Sequence, residues 1–436
     1  MDNYNVNLSL YDKKLLIKLK IMILIYTLIV TSCFFTYEYP LIGTTGLNIE
    51  PIIIIAMWLH IYAYTVVTRK WNIINKNLLN ILGIFALIGF IATLLNISSL
   101  NMEGFFLRIG YLMQYILYIS LIFLIPFYVK SQKHIKNVML LFFLSYVVVL
   151  ILSAKMVLTG SLFQNVNPGD EVGYMGVRMS RLSFFSDYQS NAFGGFVVIG
   201  MLFCIYLLLQ YKNRYIKLVM LPVLFLSFFE LAFTFSREAL LGLLVSLTVI
   251  SLCLFKNKEG KKVFSITTII GGNLIIFNHI FDFSAFYNRF LAYEHTFGYF
   301  SRDRLSYWIN LLYELFDNPE KLFTGFGFYR TSADSAYVNI FYSLGIFGIL
   351  IYFLFLYRLL YFIVRNINKH KSFHFSVIVL SMLTYFFVVD IFSDNFAVKK
   401  ILVPLFMFIG LYFSLMKLEG VQDAQKNTSS LYGSLS

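Results

Sequence analysis

The chain has 436 residues, of which 59% are apolar and 13% charged, with a net charge of +13 and a mean hydropathy of +0.75. A soluble domain carries roughly a quarter charged residues, so a water-soluble globular fold is excluded. The positive charge is spread through many short loops instead of one soluble face, which argues against a nucleic-acid-binding protein.

Apolar runs of roughly 20 residues match the length that crosses the hydrocarbon core, and lipid-embedded backbone must satisfy its own hydrogen bonds as helix. Met1 to Lys20 is polar and basic, and the apolar run after it lacks a small-residue cleavage site. A cleavable signal peptide is therefore not expected. In chain order the spans are predicted at 18–36, 50–68, 78–96, 106–128, 136–158, 190–210, 216–235, 238–255, 263–280, 336–362, 374–392 and 400–416. The fold class is thus all-α and polytopic, with about 12 transmembrane helices in one domain over 1–418. The polar tail, 419–436, is expected to be disordered and cytoplasmic. Cys33, Cys204 and Cys253 all fall inside apolar spans without paired spacing, so neither a disulfide framework nor a metal site is implied.

Cytoplasmic loops collect Lys and Arg. With the N-terminus inside, every second loop is loaded: Lys13, Lys14, Lys18 and Lys20; then Arg69, Lys70 and Lys76; Lys130, Lys133 and Lys136; and so on to Lys417 and Lys426. This series holds 23 of the 35 basic residues and puts both termini on the cytoplasmic side. The other twelve fall outside, and eight of them are Arg, against four of the inner 23. Arg grips phosphate and carboxylate bidentately and stays charged. An Arg-rich outer face therefore suggests an anion site, although some of these side chains would equally snorkel to headgroups.

Two outer loops are long, about 159–189 and 281–335, and both are dense in aromatics. In the second, Leu305, Trp308, Ile309, Leu312, Leu315 and Phe316 recur at helical spacing, opposite Asp303, Arg304, Asn310, Glu314 and Asp317. That is an amphipathic helix, suited either to the outer leaflet or to packing on the bundle.

Arg178 and Arg181, three apart, would share one face if helical. Arg237 lies at the outer hairpin between the seventh and eighth spans, and an Arg near a membrane marks function unless Glu238 or Glu230 merely pairs it. Asp334, with Ser335 just before the tenth span, is suited to capping that helix or to serving as a base. Asp390, at the outer end of the eleventh span beside Lys399 and Lys400, would also suit a proton relay. His279 and His295 lack ligand spacing, and no zinc, P-loop, dinucleotide or nucleophile-elbow motif occurs. No cofactor or metal is expected.

Three stretches together resemble the Wzy-type O-antigen or capsular repeat-unit polymerases, in the superfamily that includes O-antigen ligases. They are Arg178 to Gly200 (RMSRLSFFSDYQSNAFGGFVVIG), Phe233 to Leu247 (FTFSREALLGLLVSL) and Gly325 to Phe353 (GFGFYRTSADSAYVNIFYSLGIFGILIYF). The ligase branch carries His-Asn where this chain has Asp334-Ser335, which favours a polymerase. The resemblance implies a metal-free inverting glycosyltransferase of the bacterial inner membrane, with its active site facing the periplasm. It would join undecaprenyl-diphosphate-linked oligosaccharide repeats, in company with a chain-length regulator. Arg178, Arg181 and Arg237, helped by Arg289 or Arg302, would bind the diphosphate, and Asp334 would orient or deprotonate the acceptor hydroxyl. A ligase, or a flippase that moves the lipid-linked sugar without making a bond, is the alternative.

Overall fold

The computed structural model describes residues 22–33, 39–42, 45–47, 49–69, 75–99, 102–158, 171–174, 177–180, 190–211, 213–234, 236–255, 306–328, 335–367, 372–393 and 398–433. Ten helices among them are long and apolar enough to cross a membrane. We number all helices in chain order. The first is a shorter apolar helix, α1 (Met22–Cys33). Then come α2 (Ile49–Thr68), α3 (Lys76–Leu95), α4 (Met102–Tyr128), α5 (Gln132–Leu158), α6 (Ser190–Gln210), α7 (Arg214–Thr234) and α8 (Arg237–Leu254). After these come α9 (306–316), α10 (Pro319–Thr324), α11 (Ala336–Asn366), α12 (Phe373–Phe392) and α13 (Lys399–Gly433). The predicted span at 263–280 lies outside the described residues.

Three features depart from the sequence reading. Two short antiparallel hairpins, β1 (Tyr39–Ile42) with β2 (Thr45–Leu47) and β3 (Glu171–Tyr174) with β4 (Val177–Ser180), add strand to an otherwise helical chain. The tail expected to be disordered continues α13 in helical backbone as far as Gly433; its Gln, Ala, Lys and Leu residues are helix formers with no proline among them. The third departure concerns the tenth span.

That span, α11, is not one straight helix. Gly345 has φ 64° and ψ −164°, outside helical values. Tyr337 and Phe353 make ring contact at a centroid distance of 5.5 Å. In a straight helix, residues sixteen apart are separated by about 24 Å. The arm 336–344 therefore folds back on 346–366, with Gly345 at the apex. Breaking the helix frees the carbonyls of Tyr342 and Ser343, which the chain just after α10 takes over: Phe326 N donates to Tyr342 O at 3.0 Å and Gly327 N to Ser343 O at 2.9 Å. Hydrogen bonds lost from the helix are thus replaced by pairing with the chain after α10.

The core sits where α6, α12 and α13 meet. Phe142 of α5, Phe203 of α6 and Phe408 of α13 form a mutual ring cluster with centroid separations of 4.9–5.6 Å. The mostly buried helices α6, α12 and α13 pack on one another, whereas α2 packs on α4 and α3 on α4 and α11, and the two expose the apolar side chains of Ile55, Leu59, Val67, Leu87 and Phe90.

Candidate functional site

Five helix N-termini gather at one end of the bundle. Gly194 of α6 lies against Ser236 and Ala239 at the start of α8, and against Thr234 at the end of α7. An added Cβ on the next residue, Gly195, would meet Ile401 of α13 at 2.4 Å and the Tyr385 hydroxyl of α12 at 3.1 Å. Glycine thus lets α6 approach α12 and α13 closely, and any larger residue would have to push the Ile401 side chain aside. The Ser335 hydroxyl, at the N-cap of α11, is 3.5 Å from the Asp390 carbonyl near the end of α12. Glu50, at the start of α2, pairs with Lys399 of α13 at 3.6 Å. The starts of α2, α6, α8, α11 and α13 thus share one end, and each contributes the partial positive charge of its unpaired N–H groups.

The side chains there are polar and withdrawn from the surface. Lys399 and Lys400 are buried, 8% and 3% exposed, and Glu50 and Asp390 are 0% and 1% exposed. Arg237 and Glu238, in the first turn of α8, are half-buried, and Ser236 caps that helix by accepting from Ala239 N at 3.3 Å. Asp390 Oδ2 accepts from Tyr352 OH at 3.4 Å, and Tyr337 OH donates to the Phe387 carbonyl at 3.0 Å. The three cations and three carboxylates balance in formal charge. The helix ends supply the excess positive potential, a setting that suits an oxyanion.

A second polar feature braces the outer chain nearby. Arg108 of α4 donates to the Phe326 carbonyl. Asn96, just after α3, donates to the Gly325 carbonyl at 3.2 Å, and Phe328 N donates to Thr93 Oγ1 at 3.2 Å. Lys321 donates to Asn96 Oδ1. On the other flank, Tyr342 OH donates to Glu314 of α9 at 3.0 Å. The segment 306–328 is therefore anchored to α3, α4 and the apex of α11.

Of the residues singled out in the sequence, Arg237 lies in this gathering. Arg178 falls in strand β4, so the helical spacing that would place it beside Arg181 does not apply to it. Arg181, Arg289, Arg302 and Asp334 lie outside the described residues. Glu230 does not turn to Arg237 but meets Ser153 of α5. Lys399, Lys400, Glu50, Tyr385 and Arg108 were missed as site residues. The adjacent lysines at the outer end of a span carried a signal, as did Glu50 opening an apolar helix with no basic neighbour in sequence. The chain matches no protein-family model and no curated protein.

Proposed function

We propose that this protein is an inverting membrane glycosyltransferase that polymerises polyprenyl-diphosphate-linked oligosaccharide repeats at the outer face of the bacterial inner membrane. The observation that carries this reading is the convergence of Arg237, Lys399 and Lys400 with five helix N-termini at one end of the bundle. A diphosphate is the leaving group in such a transfer. The acceptor hydroxyl attacks the anomeric carbon, the bond from that carbon to the diphosphate oxygen breaks, and its electron pair stays on the diphosphate. Cations held in a low-dielectric, preorganised site stabilise that developing charge. Arg237 is assigned this task, with Arg178, Arg181, Arg289 and Arg302 as further donors from the outer loops and Asp334 as the group that takes the acceptor proton.

One observation favours a second reading, a flippase. The broken helix α11 and the buried Asp390 resemble the interrupted helices and intramembrane acids of transporters. A single experiment separates the two. Surface polysaccharide is resolved on a gel from a strain deleted for the gene, carrying either the wild-type gene or Arg237→Ala. A polymerase leaves a lipid core bearing one repeat on deletion, and only wild type restores the ladder. Loss of even single repeats points to translocation, and long lipid-linked polymer that never reaches the core points to a ligase. Arg237→Ala is expected to reduce polymer formation on the order of 10²–10³-fold, the usual effect of removing one preorganised charge-stabilising donor. Normal polymer from that variant, at normal protein level, removes Arg237 from the site.

A further inference from the structure

The transfer proposed above joins two lipid-linked substrates. The donor gives up its diphosphate as its anomeric carbon is attacked, whereas the acceptor keeps its own, because only its hydroxyl reacts. Two lipid diphosphates therefore have to be held at once, and the gathering of helix N-termini accounts for one. The acceptor's diphosphate carries no developing charge. It needs a fixed cationic seat, set off from the reacting carbon, that orients the attacking end.

A second group of cations lies at the same end of the molecule. Arg108 of α4 and Lys321 of α10 meet one residue, Phe326: Arg108 donates to its carbonyl, and Lys321 Nζ stands 5.9 Å from its ring centroid. Phe326 in turn stacks on Tyr342 of α11, with centroids 4.7 Å apart and 20° between the planes. Tyr342 lies seven residues along the helical arm from the cap Ser335, a separation of about 10 Å. That arm sets the second group apart from the first.

The surroundings of this pair suit a lipid-borne phosphate. Among the described residues, the Lys321 ammonium meets neutral groups, Asn96 Oδ1 and the Phe326 ring. The acids of the neighbouring turns, Glu314, Asp317 and Glu320, are exposed, and Glu314 accepts from Tyr342. A half-buried ammonium with neutral partners carries a desolvation cost that an anion would offset. The backbone beside it is held firmly: Asn96 donates to the Gly325 carbonyl, Gly327 N to Ser343 O and Phe328 N to Thr93 Oγ1. A seat fixed in advance lowers the ordering cost of binding. Two residues from Lys321, Phe323 opens an exposed apolar strip that passes to Phe347 at 5.9 Å and on to Leu350 and Leu354. Both cations remain only half-buried, so a ligand reaches them from the surface.

We propose that Arg108 and Lys321 form a second lipid-diphosphate site, which holds the acceptor substrate with its prenyl chain along Phe323, Phe347, Leu350 and Leu354. The inference rests on the polymerase reading.

The test uses the purified full-length protein with undecaprenyl diphosphate as the probe, counted by native mass spectrometry. Wild type is expected to take up two molecules, and Lys321→Gln and Arg237→Ala one each. Lys321→Gln should weaken the second uptake roughly 10–100-fold, the typical contribution of one hydrogen bond to a charged group. Lys321→Arg, which keeps the charge, should still take up two. A single molecule on wild type, lost in Arg237→Ala, overturns the second site and leaves the polymerase reading standing. No uptake at all removes both. Retention of both molecules by Lys321→Gln also overturns the proposal. So does equal displacement by phosphatidylglycerol, which makes the pair a general headgroup contact, or loss in Lys321→Arg as well, which makes Lys321 a structural brace.

Discussion

Two glycines hold the outer chain against α11, and each faces backbone. An added Cβ on Gly345 would meet the Phe323 carbonyl oxygen at 2.4 Å, and one on Gly325 would meet that of Ser343 at 2.2 Å. Both have positive φ, 64° and 70°. A Cβ at either position therefore meets strain and collision together, and backbone cannot step aside as a flexible side chain can. Gly345→Ala is expected to cost roughly 1–3 kcal/mol from the backbone conformation, with the collision adding to it. Gly83 of α3 supplies the contrast, since a Cβ there meets nothing within 4 Å. Gly83→Ala should be neutral or stabilising by up to about 1 kcal/mol through helix propensity. Thermal unfolding of the two variants in detergent, side by side, is the check; equal melting temperatures would mean that the apex at Gly345 is not a tightly specified joint.

At the scale of elements, hydropathy and charge revealed where apolar helices lie but not how their backbones pair. The reading of 336–362 as one span followed from its unbroken apolar character, which is the same whether a carbonyl bonds within its helix or to a neighbouring strand. The partner, Phe326 to Phe328, reads in sequence as plain loop. Of the stripe expected in 306–316, the packing use is found at Leu315, and the leaflet use is an expectation that the exposed members carry. Leu311 and Leu315 are buried, whereas Ile309, Tyr313 and Phe316 are exposed at 39%, 62% and 58%. Asn310, Glu314 and Asp317 occupy a third sector, also exposed. Phe323 of α10 continues the exposed apolar sector and contacts Phe347 of α11 at 5.9 Å, where Leu350, Leu354 and Tyr357 carry it down the lipid-facing side. The helix α9 thus has a buried face, an exposed apolar face and an exposed polar face, the arrangement expected of an element at the membrane interface. Nitroxide labels on single cysteines, in a background lacking Cys33, Cys204 and Cys253, test this. A label at Phe316 should be relaxed by oxygen and shielded from a water-soluble nickel chelate, and one at Asn310 should show the reverse. Chelate access at Phe316 would place that face in water.

Across the whole molecule, the cations divide by burial as well as by position. At the end predicted to be cytoplasmic, Arg69, Lys76, Lys130, Lys133, Lys136, Arg214, Arg358, Arg365 and Lys417 are all exposed, with Lys217 half-buried. At the opposite end Lys155 is exposed, but Lys399 and Lys400 are buried and Arg108, Arg237 and Lys321 half-buried. Exposed cations at helix ends need only water or headgroups, and serve to fix orientation. Burying a cation costs desolvation that orientation alone does not repay, so the second set requires partners. Glu50, Asn96 and the Phe326 carbonyl are such partners. Composition could separate Arg-rich from Lys-rich loops, but Lys399 and Lys400 run against that rule, because the neighbours of their buried side chains, Glu50 for Lys399 and Cys33 for Lys400, are remote in sequence. The orientation itself is open to direct measurement. Alkaline phosphatase, active only after export, should be inactive when fused after Lys130 or Tyr211 and active when fused after Leu158 or Thr324. The reversed pattern would put Arg237, Lys399 and Lys400 on the cytoplasmic side, and a polymerase acting on exported lipid-linked sugars would then be untenable.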